Sequence, residues 1–338
     1  MIQMRIDLKE TADFLMQNDK FLLLCHVSPD GDTVGSAVAL ARALMTKGKF
    51  VSIKCGDPFG KDFDFMFEGL EFPKFEPEHI VAVDVADPKL LGDEYNKIYG
   101  GKVELCIDHH ESNLMYAEKT YLEPDSASVA EIIYLLLEEM NAEITPIIAS
   151  CLFTGVSTDT GCFRFSNTTV RTFQIAARLT EMGADTYNII QVFFETKTKT
   201  YAALERLALE SMRFYFSDRC ALICITQDMY EKTGSNETET TKLANLPRMV
   251  EGVLVGVVMR ELSDGKFKAS LRTHGDVDAS AICKRLGGGG HRGAAACTID
   301  GPKHLLNIMH SMLKLLTKQF YKRNYKWFLV YVNNCVRC

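Results

Sequence analysis

Short apolar runs alternate with helically spaced apolar positions over the first 160 residues. Residues 21–27 form one such run, the pattern of a strand buried on both faces. Residues 51–55, 80–85 and 103–107 read as further buried strands. Between them Val34, Ala37, Val38, Ala41, Leu44 and Met45 recur at helical spacing, as do Val129, Ile132, Ile133, Leu136, Leu137 and Met140. This alternation predicts an α/β fold, a parallel sheet with helices on both faces.

The pattern changes after residue 160. Residues 160–212 are mainly helical, and then strands are predicted at 213–216, 220–226, 253–260, 266–272 and 294–299. A helix at 279–286 runs into a glycine stretch, and an amphipathic helix is predicted at 305–318. The organisation expected is a catalytic domain over 1–190, a helical connector over 191–212 and a smaller α/β domain with a mixed sheet over 213–320. The tail 321–338 fits no element.

Length and composition agree with two domains. The chain has 338 residues, 47% of them hydrophobic, enough for two cores at ~100–200 residues per domain. No apolar run approaches the ~18 residues of a membrane span, so no membrane partner is expected. The 11 cysteines, an odd number set mostly in apolar runs, suit a reducing, cytoplasmic compartment. The net charge of −6 divides unevenly, −15 over residues 1–251 and +9 over 252–338. An acidic half suits cations and a basic half suits an anionic substrate.

Candidate chemistry lies at the ends of the apolar runs. His26-Val-Ser-Pro-Asp30-Gly-Asp32 follows the first strand, Asp84 ends the run 80–83, Asp108-His109-His110 follows 103–107, and Asp159 lies in Ser157-Thr-Asp-Thr-Gly161. Ligands gather at the carboxyl ends of strands in such sheets, so four distant segments are expected in one crevice. Asp30 and Asp32 equally suit helix caps and turns, with Gly31 as the tight turn between them. A carboxylate at Asp84 is costly unless ligated or paired. Adjacent histidines on extended backbone point apart, so one ring is expected to ligate and the other to face substrate. Four carboxylates and two imidazoles without a thiolate favour Mn²⁺ or Mg²⁺ over zinc, with Co²⁺ or Fe²⁺ as substitutes.

Anion contacts have their own candidates. Arg164 offers a planar fork to phosphate or a surface ion pair. Arg272 is an anion contact or a sheet-edge charge. Gly288, Gly289, Gly290 and His291, in Gly287-Gly-Gly-Gly-His-Arg-Gly293, offer bare backbone amides to a nucleotide, or a helix cap running into a linker.

Taken in order, HVSPDGD, VAVDVAD, IDHH and STDTG resemble the four motifs of the DHH phosphoesterase superfamily, and SLR with GGGGHRGAAA resembles its DHH-associated C-terminal domain. Length and domain content are similar to the nano-RNase type, with oligoribonuclease and 3′-phosphoadenosine-5′-phosphate phosphatase activities. The resemblance implies two Mn²⁺ ions, one held by His26, Asp30 and Asp84, the other by Asp32, Asp84, His109 and Asp159. Asp84 would bridge. His110 would lie near the scissile phosphate, with Asp108 orienting its neighbours, and these three (Asp84, Asp108, His110) would form the catalytic set. Arg164, Arg272 and the loop ending in His291 would hold the nucleotide.

The expected activity is hydrolysis of two- to five-nucleotide RNAs, linear di-adenylate or 3′-phosphoadenosine 5′-phosphate by a hydroxide activated between two metals. The alternatives are a manganese inorganic pyrophosphatase, which shares the N-terminal motifs, and a non-catalytic nucleotide- or RNA-binding regulator. Assembly is left open, a homodimer included.

Overall fold

The structure is a computed structural model describing residues 4–300 except Asp276, without the side chains of Thr238, Thr241, Lys242 and His291. The helix expected at 305–318 and the tail lie outside the described residues. The chain divides after Thr196 into two compact units.

In the first unit the described strands are β1 (Met4–Arg5), β2 (Phe21–Cys25), β3 (Val51–Cys55), β4 (His79–Val83), β5 (Leu105–Asp108) and β6 (Lys119–Leu122). They form a parallel sheet in the order β1-β6-β5-β4-β2-β3. Helices α1 (Leu8–Gln17), α2 (Gly31–Thr46), α3 (Asp64–Phe67), α4 (Asp93–Tyr99), α5 (Val129–Glu139), α6 (Pro146–Asp159), α7 (Val170–Glu181) and α8 (Thr186–Ile190) complete it.

Side-chain alternation along β2 explains its unbroken apolar run. Phe21, Leu23 and Cys25 join a large core with α2, α5 and α6, whereas Leu22 and Leu24 join a second core with Leu91, Val103 and Ala117. A strand buried on both faces has no position for a polar residue. Chain order reverses between β2 and β4, the point at which such sheets open a crevice.

The second unit begins with α9 (Lys199–Glu210), followed by β7 (Arg213–Tyr215), β8 (Cys220–Ile225), α10 (Gln227–Thr233), β9 (Val255–Glu261), β10 (Phe267–Thr273), α11 (Ala279–Lys284), β11 (Gly289–His291) and β12 (Ala294–Ile299). Its sheet runs β11-β12-β10-β9-β8-β7 and is mixed, because β8 and β9 are parallel and the other pairs antiparallel. Tyr201, Leu204 and Ala208 of α9 pack on Ile223, Ile225 and Val258, so the helix over 199–210 has its core contacts here. On the other face Ile282 and Cys283 of α11 pack against Leu271, Ala295 and Cys297. Among the described residues no helix is long and apolar enough to cross a membrane.

Candidate metal centre

The six nominated ligands converge at the carboxyl edge of the first sheet. His26 follows β2, Asp84 follows β4, and His109 follows β5. Asp30 is the N-cap of α2, Asp32 lies in its first turn, and Asp159 is the last residue of α6.

Helices α2 and α6 approach through glycine. A Cβ on Gly31 would stand 2.5 Å from Thr158 Oγ1, one on Gly35 2.3 Å from the Cys151 carbonyl, and one on Gly155 2.8 Å from Asp32 Oδ1. Gly31, expected as a turn, is helical instead; what its missing side chain provides is room for α6. Asp30 does act as a cap, its Oδ1 accepting from the amides of Asp32 and Thr33 at 3.0 and 3.1 Å. That role leaves Asp30 3.7 Å from His26 Nε2, so cap and candidate ligand are compatible.

Asp84 is the centre of the arrangement. Its φ of 63° is left-handed, a region that Asp and Asn enter more readily than other non-glycine residues. The turn out of β4 is held by the Asp84 amide donating to the Ile107 carbonyl at 2.9 Å. The residue is 3% exposed, and among the described residues its Oδ1 has no hydrogen-bond partner. A buried carboxylate oxygen in that state carries a desolvation cost that a cation offsets.

Imidazoles surround it. His26 Nε2 lies 3.5 Å from Asp84 Oδ2, and His109 Nε2 and His110 Nδ1 lie 3.9 and 3.4 Å from Oδ1. The Nδ1 atoms of His26 and His109 face the carbonyls of Val27 and Ser126 at 2.8 and 3.0 Å. A ring nitrogen against a carbonyl donates, which leaves the lone pair of the neutral ring on Nε2, the form that binds metals. His109 Nε2 is 3.3 Å from Asp159.

Three overlapping sets each place their ligand atoms within 4.8 Å of one another: His26, Asp30 and Asp84; Asp32, His109 and Asp159; Asp84, His109 and His110. Asp84 belongs to two of them. Asp32 is fully buried, its oxygens accepting from the Val129 and Ala130 amides at the start of α5 at 2.7 and 2.8 Å. Even so, burial, then the charges of Asp84 and Asp30, push its carboxyl well above the usual range. Asp159 is raised by burial and by Asp32, Asp30 and Asp84. Burial disfavours a charged His26, but Asp30 and Asp84 override it and raise the ring to about 11. These carboxylates cannot all stay charged side by side without cations, and the donor set fits two hard divalent ions.

The expectation for the paired histidines needs correction. Their ring centroids are 4.6 Å apart and both face Asp84, because β5 ends at Asp108 and the pleat that would separate them stops there. Asp108 fixes this turn. Its Oδ1 accepts from the His109 amide at 2.8 Å and from His110 Nδ1 at 2.8 Å, and its Oδ2 accepts from Asn113 at 2.5 Å. Burial opposes a charged His110, but Asp108 and then Asp84 raise it to about 9.

The anion candidates are dispersed. Arg164 is exposed, follows α6 and donates from Nε to the Gly161 carbonyl at 2.6 Å. Among the described residues it pairs with no carboxylate. In the second unit, strand register sets Gly256, Arg272, Ala294 and His291 in one row across four strands. The His291 side chain lies outside the described residues. The glycine stretch does not offer four bare amides. The Gly288 amide donates to the Cys283 carbonyl at 2.9 Å, and Gly289 and Gly290 pair with Ala296 and Ala295 in a hairpin. A Cβ on Gly288 would stand 2.1 Å from the Ala296 carbonyl, so strand contact alone demands glycine there.

Comparison with known proteins gives the family and the fold. A model of the DHH family, N-terminal domain, matches residues 20–156, and a DHHA1 domain model matches 222–318. The bifunctional oligoribonuclease and PAP phosphatase NrnA of Thermus thermophilus is 33% identical to this chain, over 82% of this chain and 83% of its own length. The chain belongs to the DHH family. The Bacillus subtilis protein of the same description is 24% identical over 88% of this chain and 95% of its own. The crystal structure of an exopolyphosphatase-related protein from Bacteroides fragilis shares the fold, with a TM-score of 0.84 and 23% identity, covering 94% of this chain and 98% of the other. The DHH-family chain is thus a phosphoesterase built on the α/β architecture that its sequence predicts.

The residues that hold the candidate ligands carry no mark of that role in the sequence: Asn113 behind Asp108, the Ser126 carbonyl behind His109, and Asn167, which donates to the carbonyls of Ala127 and Asp159 at 3.0 and 3.2 Å. One signal was available. Ser128-Val-Ala-Glu131 has capping-box spacing, which marks the start of α5.

Proposed function

We propose that the chain is a cytoplasmic, Mn²⁺-dependent phosphoesterase of short oligoribonucleotides, linear di-adenylate and 3′-phosphoadenosine 5′-phosphate. The observation that carries the metal dependence is Asp84, whose buried Oδ1 has no hydrogen-bond partner among the described residues and stands among the rings of His26, His109 and His110. Short RNA and 3′-phosphoadenosine 5′-phosphate follow the activities for which the Thermus relative is named, and linear di-adenylate is proposed as a two-nucleotide case of the first.

In this reading His26, Asp30 and Asp84 hold one ion, and Asp32, Asp84, His109 and Asp159 hold the other. When bound, the ions supply an activated water and neutralise charge on the phosphate. The chain supplies the rest. Asp108 holds His110 at 2.8 Å and favours its protonated form, and a cationic imidazole beside the centre stabilises phosphate oxygens as charge develops on them. Arg164 and Arg272 are each proposed to bind an anionic group of the substrate.

The test is a Mn²⁺ assay that presents linear di-adenylate, a trinucleotide RNA, 3′-phosphoadenosine 5′-phosphate and pyrophosphate side by side. Turnover of the first three and not of pyrophosphate is expected. Turnover of pyrophosphate alone would make the chain a pyrophosphatase. Tight RNA binding without turnover would make it a regulator.

A further inference from the structure

His109, Asp32 and Asp159, the ligands assigned to the second ion and not shared with the first, have a common support. Glu131, one turn into α5, is fully buried. Its Oε2 accepts from Ser126 Oγ at 3.2 Å, from the Ala127 amide at 3.3 Å and from Arg171 Nε at 3.3 Å. Arg171, on α7, also reaches Glu123 at 2.5 Å. Its fork therefore clasps both ends of the segment 123–131, and that segment supplies the Ser126 carbonyl to His109 Nδ1 and the Val129 and Ala130 amides to Asp32. Asn167 ties the same segment, through Ala127, to the Asp159 backbone. The first set is held elsewhere. His26 leans on the Val27 carbonyl, and Asp30 caps its own helix.

We infer that Glu131 and Arg171 are positioning residues for the second ion alone: they set the segment that orients His109 and Asp32, and leave His26 and Asp30 to their own supports. The inference rests on the two-ion reading above. A helix cap does not require this arrangement. Ser128 Oγ already accepts from the Glu131 amide at 3.2 Å, and a cap residue functions in water. Glu131 instead lies where its charge must be met by Arg171. Loss of groups that orient metal ligands costs about 10–100-fold in metal affinity.

Calorimetric titration of the full chain with Mn²⁺ tests this, alongside the thermal midpoint of the metal-free protein. Wild type should bind two ions. Glu131→Ala and Arg171→Met should bind one ion as wild type does and the other about 10–100-fold more weakly. Glu131→Gln keeps an acceptor oxygen for Ser126 and Ala127, and should stay within a few-fold of wild type for both ions. Should Glu131→Ala fail to fold, Arg171→Met removes the support from the half-exposed side. Equal weakening of both ions, or a lowered midpoint with unchanged binding of both, would mark Glu131 and Arg171 as ordinary packing and overturn the inference. Fewer than two ions bound by the wild type would overturn the two-ion reading itself, and the inference with it.

Discussion

At the scale of single residues, Asp84 offers the cleanest test, because its backbone and its charge can be separated. Asn tolerates the left-handed φ that Asp84 adopts, so Asp84→Asn preserves the turn between β4 and the Ile107 carbonyl while removing the charge shared by two ligand sets. Its metal-free thermal midpoint should match or exceed that of wild type, since a buried carboxylate whose Oδ1 lacks a hydrogen-bond partner among the described residues has been removed. Phosphodiester turnover should fall by several orders of magnitude; tenth-level activity would exclude a bridging role. Protons give a second test. Burial and neighbouring charge hold Asp32 and Asp159 above the usual carboxylate range, and Asp30 and Asp84 hold His26 near 11. At neutral pH the metal-free protein therefore keeps on His26 a proton that must leave before the ring ligates, and the raised carboxyls of Asp32 and Asp159 shift the competition between protons and metal in the same direction. Mn²⁺ binding should release protons, and affinity should weaken as pH falls through a range higher than ordinary carboxylates would set. Titration in buffers of differing ionisation heat measures the release; a value of zero would contradict the pKa directions given above.

At the scale of elements, the site depends on how closely α2, α5 and α6 approach. Gly155 is the contact point, where an added Cβ would stand 2.5 Å from Ala130 Cβ and 2.8 Å from Asp32 Oδ1. Gly155→Ala should destabilise by about 1–3 kcal/mol, as overpacked cores do, and weaken Mn²⁺ binding by displacing Asp32; chemical denaturation and metal titration read the two effects separately. The glycine lies on α6 four residues before Asp159, yet its reason for being there is a helix contact that periodicity does not display. What periodicity displays well is an element with an apolar face. β3 and β12 begin and end where the runs at 51–55 and 294–299 do. The polar strand Lys119–Leu122 and the two-residue β1 carry no such run, because β1 is at the sheet edge and β6 lies next to it. The six candidate ligands are legible because Asp and His at strand ends are costly without a function. Ser126, Asn113 and Arg171 are not, since each acts through a partner distant in space or through a backbone carbonyl.

At the scale of the whole molecule, the residues with chemical potential are divided between the two units. All six candidate ligands lie between His26 and Asp159, within the first unit, while Arg272 lies on the second sheet in one row with Gly256, Ala294 and His291. The charge division follows the same line, with the acidic part of the chain carrying the cation ligands together with Arg164, and the basic part carrying Arg272 and the glycine stretch. The proposed role of Arg272 in substrate binding has a kinetic signature. A group that touches the substrate away from the reacting phosphorus contributes equally to ground-state and transition-state binding, so its loss raises KM and spares kcat. Arg272→Ala should therefore raise KM for linear di-adenylate by about tenfold or more, given that a hydrogen bond to a charged group contributes ~1.5–3 kcal/mol, and leave kcat within a few-fold. On bis(p-nitrophenyl) phosphate, which offers no second nucleotide, the same variant should match wild type, whereas Asp84→Asn should fail on both substrates. A loss of kcat on the small ester in Arg272→Ala would overturn a role for Arg272 confined to substrate binding.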